Sequence, residues 1–418
     1  MVTIQQEVSR SGTSSNGVKA ATYDVAIAGS GIIGLALACM LKESGLRVAL
    51  IDAKPRTAGL EHERAYAITL LSGRILAGLG VWSKILPQIT TFRQIRLADE
   101  QSPAVVKLQP ADLGTAELGY VGEHKVLVKA LLEALETAEN ITWLCPAEVT
   151  QVNYVSNQAE LTILIDGAPQ QIQTRLLVGA DGSQSMIRQW AGIGTQGWQY
   201  WQSCVTAVIR PEKSHQDIAR EHFWASGPFA TLPLPNNRCQ IVLTAPHAEA
   251  QHWLEIDQAE FLAELNRRYD GQLGRLELVG KRALFPVQLM QSQHYINPRL
   301  ALVGDAAHCC HPVGGQGLNL GIRDAAALAQ IILAAQRAGE DIGQVSVLKR
   351  YEGWRRLENW LILGFTDLLD RCFSSQWLPL VLLRRLGLRL MQRVSLLRGL
   401  ALRLMTGLSG RLPELAQR

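Results

Sequence analysis

No C-x-x-C pair occurs in the 418 residues, and the seven cysteines are scattered without a repeating spacing. That excludes a disulfide scaffold and a thiol-ligated zinc site, and it fits a reducing compartment. The first 21 residues are polar and rich in Ser and Gly, with no apolar stretch of the kind a secretory signal needs. They read as a flexible N-terminal tail. Charge of one sign is not in excess: 41 Lys and Arg against 37 Asp and Glu leave +4, too mild for nucleic acid. No metal-ligand spacing is found. Long uncharged runs are short of a bilayer too. The longest near the start, Val25 to Leu41, has 17 residues and is broken by glycines, so a buried strand, turn and helix is expected instead of a span. With 47% hydrophobic residues the chain supports a large core, as one composite domain or two.

What is present is glycine in three meaningful places. Tyr23-Asp24-Val25-Ala26-Ile27-Ala28 reads as a strand, and Gly29-Ser30-Gly31-Ile32-Ile33-Gly34 follows as a full G-x-G-x-x-G opening a helix. A second strand, Arg47 to Ile51, ends at Asp52-Ala53, the acid lying 18 residues past Gly34. Gly29 suits a tight turn, Gly31 lets backbone approach a pyrophosphate, and Gly34 lets helix and strand pack. Asp52 would accept from an adenosine ribose. This signature serves FAD and NAD alike.

The second place is Leu176 to Arg188, a buried strand and then V-G-A-D-G-x-x-S-x-x-R, with Asp181-Gly182 in the turn. The third runs from a short strand, Arg299 to Val303, through Gly304-Asp305-Ala306-Ala307-His308 and Pro312 to Gly315-Gln316-Gly317-Leu318-Asn319, ahead of an Ala-, Leu- and Ile-rich helix. A glycine-rich turn at a helix start lets N–H groups reach a ligand and favours negative charge. Spacing alone leaves Arg64 a solvated arginine, and His124, at a helix start, a surface or capping residue. His308 and His311 read as capping or packing residues.

These elements, in this order, resemble the class A flavoprotein aromatic hydroxylases, of the p-hydroxybenzoate hydroxylase type. The Gly304–His308 segment with Pro312, Gly315-Gln316-Gly317, Asn319, Gly321 and Asp324 looks like the hydroxylases of ubiquinone biosynthesis. So do Arg64 to Ile68, Glu221-His222-Phe223, Gly227 to Leu234 and Leu363 to Asp367. The resemblance implies an α/β fold: a Rossmann-like FAD-binding domain with an inserted antiparallel-sheet substrate domain and a helical C-terminus. The expected division is 22–91, 121–194 and 286–344 for FAD, 92–120 and 195–285 for substrate, and 345–418 for the helical end.

It also implies roles. Gly29, Ser30, Gly31, Ile32, Ile33, Gly34, Asp52 and Ala53 would hold the ADP half of FAD. Arg64 would lie near the phosphates or the flavin. Asp181 and Gly182 would link FAD and NAD(P)H binding. Gly304 and Asp305 would take the ribityl and pyrophosphate region, and Pro312, Gly315, Gln316, Gly317, Leu318 and Asn319 the isoalloxazine ring. Relatives often place Arg or Gln where His124 stands; His124 is shorter and is left outside the site. No side chain stands out as a catalytic base. The strand near residue 300 is expected beside the strand near residue 25.

The implied activity is FAD-dependent hydroxylation of a prenylated phenol or quinone precursor through a flavin C4a-hydroperoxide. O₂ would be the oxidant, and NAD(P)H or a protein such as ferredoxin the electron donor. An isoprenoid epoxidase or reductase, or a non-catalytic component of a quinone-biosynthesis complex, keeps the same fold. The halogenase signature W-x-W-x-I-P is absent. Within the aromatic-rich 195–282 stretch, Gly227-Pro228-Phe229 is expected to touch substrate. Between Arg371 and Pro413 there are eight arginines, no lysine and no acid among Leu, Val and Met. A basic, Leu-rich segment over 376–408 fits a cytoplasmic chain lying on an anionic membrane surface; a domain-covering helix pair or an oligomer interface fits as well.

Overall fold

The computed structural model describes residues 21–100 and 102–417. The expected tail lies outside the described residues except for Ala21, which opens the first strand.

A parallel sheet forms the base. Its strands run in the order Leu300–Leu302, Ala168–Gly179, Ala21–Ala28, Val48–Ile51, Ile141–Leu144. Helices Ile32–Leu41, His124–Leu135 and Gln316–Arg337 pack together and share one core with it. Val25, Ile27, Leu35 and Leu37 are buried there, so the uncharged run from Val25 is a strand, a turn and a core helix. Helix and preceding turn over Val313–Arg337 are long and apolar enough to cross a bilayer, yet 78% of that window is buried in the protein.

One expectation of neighbourhood is corrected. The strand near residue 300 does not lie beside the strand near residue 25; Ala168–Gly179 stands between them and pairs with both. The reason is in the strand ends: Ala180 donates to the Ala28 carbonyl at 2.8 Å and Val303 to the Gly179 carbonyl at 3.0 Å. All three glycine-bearing turns therefore leave the same edge of the sheet, where α/β folds bind ligands.

A second sheet of eight strands lies across this edge. It contains Gln94–Asp99 and Ser102–Leu108 beside Ile218–Trp224, then Gly227–Leu234, Arg238–Pro246, Thr195–Pro211 and Leu276–Ser292. Its pairs are antiparallel except Ile218–Trp224 with Gln94–Asp99, which are joined through distant segments and run parallel. Helices His247–Glu255 and Gln258–Tyr269 cover one face. Phe229 belongs to that covered face. It is 2% exposed, with its ring 5.2 Å from Tyr269, so it is core and not the substrate contact expected. Its neighbours Ala230 and Leu232, with the opposite parity, face the cavity.

Helices Val345–Ser374, Leu378–Arg393 and Ser395–Met405 close the chain. Arg384 meets Asp99 at 3.1 Å and Arg398 meets Asp112 at 2.8 Å. Val381, Leu388 and Leu402 are buried. One side of this region is thus structural, covering the edge of the second sheet, as one of the open readings required.

Candidate active site

A cleft of about 490 Å³ opens at the carboxyl ends of the parallel strands. Gly29 has φ +108°, and a Cβ there would lie 2.3 Å from the Ala180 carbonyl oxygen. At Gly34 a Cβ would lie 1.9 Å from the Gly29 carbonyl oxygen. Gly31 has open space around it, and as N-cap of Ile32–Leu41 it leaves the helix without a side-chain cap or an acid in its first turn. The amino end is free to meet an anion. Asp52 is oriented beside it: Oδ2 accepts from Ser30 N at 2.7 Å and Ser30 Oγ at 2.9 Å, and Oδ1 from Lys54 N at 2.9 Å.

Across the cleft, Asp181 accepts from Ser185 Oγ at 2.5 Å and Ile187 N at 3.1 Å, which fixes the start of helix Met186–Trp190. Arg188 from that helix donates to Ser183 O and to Ala306 O, each at 2.9 Å. This one buried guanidinium ties the Asp-Gly turn to the Gly-Asp turn. His62 and His124 also line the cleft, ring centroids 5.0 Å apart. Burial, with His62 and Arg64 nearby, lowers the His124 ring to about 4, so it is neutral at pH 7.

The Gly304-Asp305 turn is fixed from behind. Gly304 has φ +60°, and Ile33 packs in the notch between it and Gly321. Gly304 N donates to Asp324 Oδ2 at 3.2 Å. Asp305 is accessible but sits deep between protein walls; lost solvation raises its carboxyl, against the pull of His308 and Arg64. Further on, Gly315 is left-handed at φ +61° and begins helix Gln316–Arg337, again with no side-chain cap and no acid in the first turn. Asn319 is wholly buried and donates to Ala67 O and Gly315 O while accepting from Thr69 N. Gln316 donates to Met405 O at 3.1 Å, so the C-terminal helices touch this turn.

The turn faces a second cavity, of about 280 Å³, roofed by the bare face of the second sheet. Ile95, Ala219, Ala230, Leu232, Val242 and Phe285 make that roof apolar. Arg64 lies at its edge, stacked 4.5 Å from the centre of the Phe285 ring. Glu221 carries the roof's one carboxyl group; burial pushes it up to about 8.

Of the residues singled out from sequence, Gly29, Ser30, Gly31, Asp52, Ala53, Asp181 and Gly182 line the first cleft. Arg64, Asp305, Pro312, Gly315, Gln316, Gly317 and Leu318 line the second cavity. Ile32, Ile33, Gly34, Gly304 and Asn319 line neither; they pack or brace the turns. His62, His124 and Glu221 were missed as lining residues. Only Glu221 had a usable signal, its place in the Glu221-His222-Phe223 segment that carries part of the resemblance. His308 and His311 hold structure: His308 pairs with Asp324, and His311 accepts from Val313 N at 3.2 Å.

Residues 22–366 match the family model described as FAD binding domain. The ubiquinone hydroxylase UbiL of Rhodospirillum rubrum is 39% identical, over 91% of this chain and 88% of the relative. The 3-demethoxyubiquinol 3-hydroxylase of Escherichia coli is 34% identical, over 92% and 98%. Among solved structures, p-nitrophenol 4-monooxygenase PnpA of Pseudomonas putida DLL-E4 superposes with a TM-score of 0.78 at 18% identity, covering 94% of this chain and 99% of that one.

Proposed function

Since the chain belongs to the family of FAD-dependent monooxygenases that contains the ubiquinone-biosynthesis hydroxylases, we propose that it hydroxylates the aromatic ring of a prenylated phenol on the way to a ubiquinone-type quinone. The observation that carries this is the pairing of two uncapped helix starts with an apolar roof. One helix start opens into the dinucleotide cleft, the other into the 280 Å³ cavity.

The residues fit FAD. Gly31 leaves room for a pyrophosphate, and the free amino end of Ile32–Leu41 favours its charge. Asp52 is held to accept from a ribose, and Asp305 lines the second cavity near the second helix start. The amino end of Gln316–Arg337 would stabilise negative charge on the reduced ring. When bound, the flavin supplies the activation of O₂, with NAD(P)H or another donor providing electrons. The chain supplies position and dryness: the roof of Ile95, Leu232, Val242 and Phe285 keeps water from the reacting atoms and accepts an apolar ring.

The C-terminal helices suit an anionic membrane surface, the source of a prenylated substrate. Leu378, Leu382, Leu386 and Leu390 recur every four residues and are 65, 55, 53 and 43% exposed. Arg389 and Arg393 are exposed beside them, and Trp377 is 68% exposed. Leu382→Glu with Leu386→Glu should abolish sedimentation with anionic vesicles and leave the fold intact; unchanged sedimentation rules the surface out. Truncation is a poorer test, because it would remove Leu388 and Leu402 from the core they share with Val106 and Leu108 and uncover the latter.

The reaction is tested by lipid analysis of a deletion strain. A quinone precursor lacking one ring oxygen should accumulate, and purified holoenzyme should consume O₂ when given a prenylphenol. Protein without flavin, or an unchanged quinone pool, refutes the function.

A further inference from the structure

We propose that Glu221 is a catalytic residue that takes the phenolic proton of the substrate ring and returns it after the ring has gained its oxygen. The assignment rests on the phenol substrate proposed above. Glu221 sits in the middle of strand Ile218–Trp224, paired with Ala230 on one side and Leu97 on the other. Its parity puts it with Ala219 on the cavity face, among Ala230, Leu232, Val242 and Phe285. Oε1 is buried and has no hydrogen-bond partner among the described residues. The backbone N–H of Gly314, in the turn leading to Gln316–Arg337, is the polar neighbour that favours the ionised form. A carboxyl group on a largely apolar roof, with one buried oxygen unpaired, is costly unless something else meets it. The hydroxyl of a bound phenol is a group of the right kind.

Other titratable groups on this cavity are Arg64, Tyr66, Arg220, Asp305, Cys309 and Cys310, with Cys204 nearby. Arg64 is engaged by Phe285. Arg220 also lines the cavity; burial and the nearby Arg96 lower its guanidinium, and it is not among the groups that shift Glu221. The thiols are pushed up by burial and stay protonated near neutrality, Cys310 to about 12. Glu221, pushed up to about 8 by burial against the Gly314 N–H, is the group poised to exchange a proton near neutral pH.

The step balances. The phenolic O–H bond breaks and a Glu221 O–H bond forms, while the electron pair stays on the phenolic oxygen and enriches the ring. O₂ and the donor's electrons, as in the family's activity, place a hydroxyl on a ring carbon. That carbon then loses its proton to solvent, and Glu221 returns a proton to the phenolic oxygen.

The test uses reduced holoenzyme mixed with O₂ and a short-tailed prenylphenol. Wild type should hydroxylate faster as pH rises through about 8, because the ionised carboxylate is the acceptor. Glu221→Gln should lower kcat about a hundredfold or more, with KM and FAD content little changed, O₂ diverted to hydrogen peroxide, and the pH rise lost. Glu221→Asp should recover part of the rate. Infrared difference spectra of the oxidised enzyme, taken without turnover, should show a protonated carboxyl C=O band that fades across about pH 8 and is missing from Glu221→Gln. A Glu221→Gln enzyme with wild-type rate and pH profile overturns the assignment, as does an infrared band that survives the substitution. Failure of the function itself looks different: wild type would then hydroxylate no ring.

Discussion

His308 Nε2 and Asp324 Oδ2 lie 2.6 Å apart, both side chains wholly buried behind the Gly304-Asp305 turn. The same carboxylate takes Arg355 Nε at 2.8 Å and Asn359 Nδ2 at 3.0 Å on its other oxygen. Helix Gln316–Arg337, which carries this acid, and helix Val345–Ser374 are thus both held to the turn by it. Burial pushes this carboxyl up, but His308 and Arg355 outweigh it and hold it at about 2.

Asp324→Asn should therefore be severely destabilising. It removes one of the two carboxylates that hold buried Arg355, leaving Glu358, and takes the partner of buried His308, a loss of about 3 kcal/mol, measurable by urea unfolding. The carboxyl is held below its ordinary value of 3.8, so its stabilisation is complete above that value and is lost as pH falls through about 2. Acid titration followed by near-UV circular dichroism should show wild type losing stability in that window and Asp324→Asn lacking that component.

The glycines of the first signature should separate. Gly31→Ala meets nothing within 4 Å in the protein, so it should fold normally and lose FAD by pointing a methyl group at the ligand. Gly34→Ala would drive a methyl to 1.9 Å from backbone and should fail to fold. Thermal melts beside flavin absorbance distinguish the two; a flavin-replete Gly31→Ala protein contradicts the placement of the pyrophosphate.

Asp305→Ala should weaken FAD retention, since its side chain projects into the cavity and braces no helix. Gly315→Ala and Pro312→Ala should disturb oxygen transfer more than binding. Gly315 is left-handed at φ +61°, with Ala67 Cβ 3.0 Å from any added methyl, so the helix start on the second cavity would shift. Flavin content after gel filtration reads the first effect and peroxide yield the second. Equal FAD content in wild type and Asp305→Ala would sink this division.

Arg188→Met should uncouple the Asp-Gly and Gly-Asp turns. The Ser183 carbonyl would lose this donor and the Ala306 carbonyl would keep only the longer bond from Ser292 Oγ at 3.3 Å, at about 1–3 kcal/mol for a group left unpaired. Loss of both stability and flavin is expected in denaturation and flavin-release measurements. A variant with wild-type flavin affinity would show that the two turns are set independently.

What was legible in the sequence was local. The G-x-G-x-x-G with Asp52, the Asp181-Gly182 turn and the Gly304–Asn319 turn each carry their meaning in adjacent residues, because backbone freedom and helix starts are short-range properties. The fold type and the first cleft followed from them. Other features depended on pairing across the chain. Strand Ala168–Gly179 separates the two expected neighbours, because main-chain hydrogen bonds satisfied across long distances in sequence decide strand order. Phe229 looked like a ligand contact and is core, because one residue of register decides which face a strand side chain takes. Glu221 is the converse. By itself it is one acid in a strand; only the turn at Gly314, brought over it from nearly a hundred residues away, gives it a largely apolar enclosure, a shifted carboxyl and a place on the second cavity. Sequence alone determined the chemistry of each turn, and the tertiary structure decided which groups share a cavity, because desolvation and proximity exist only once distant segments are packed together.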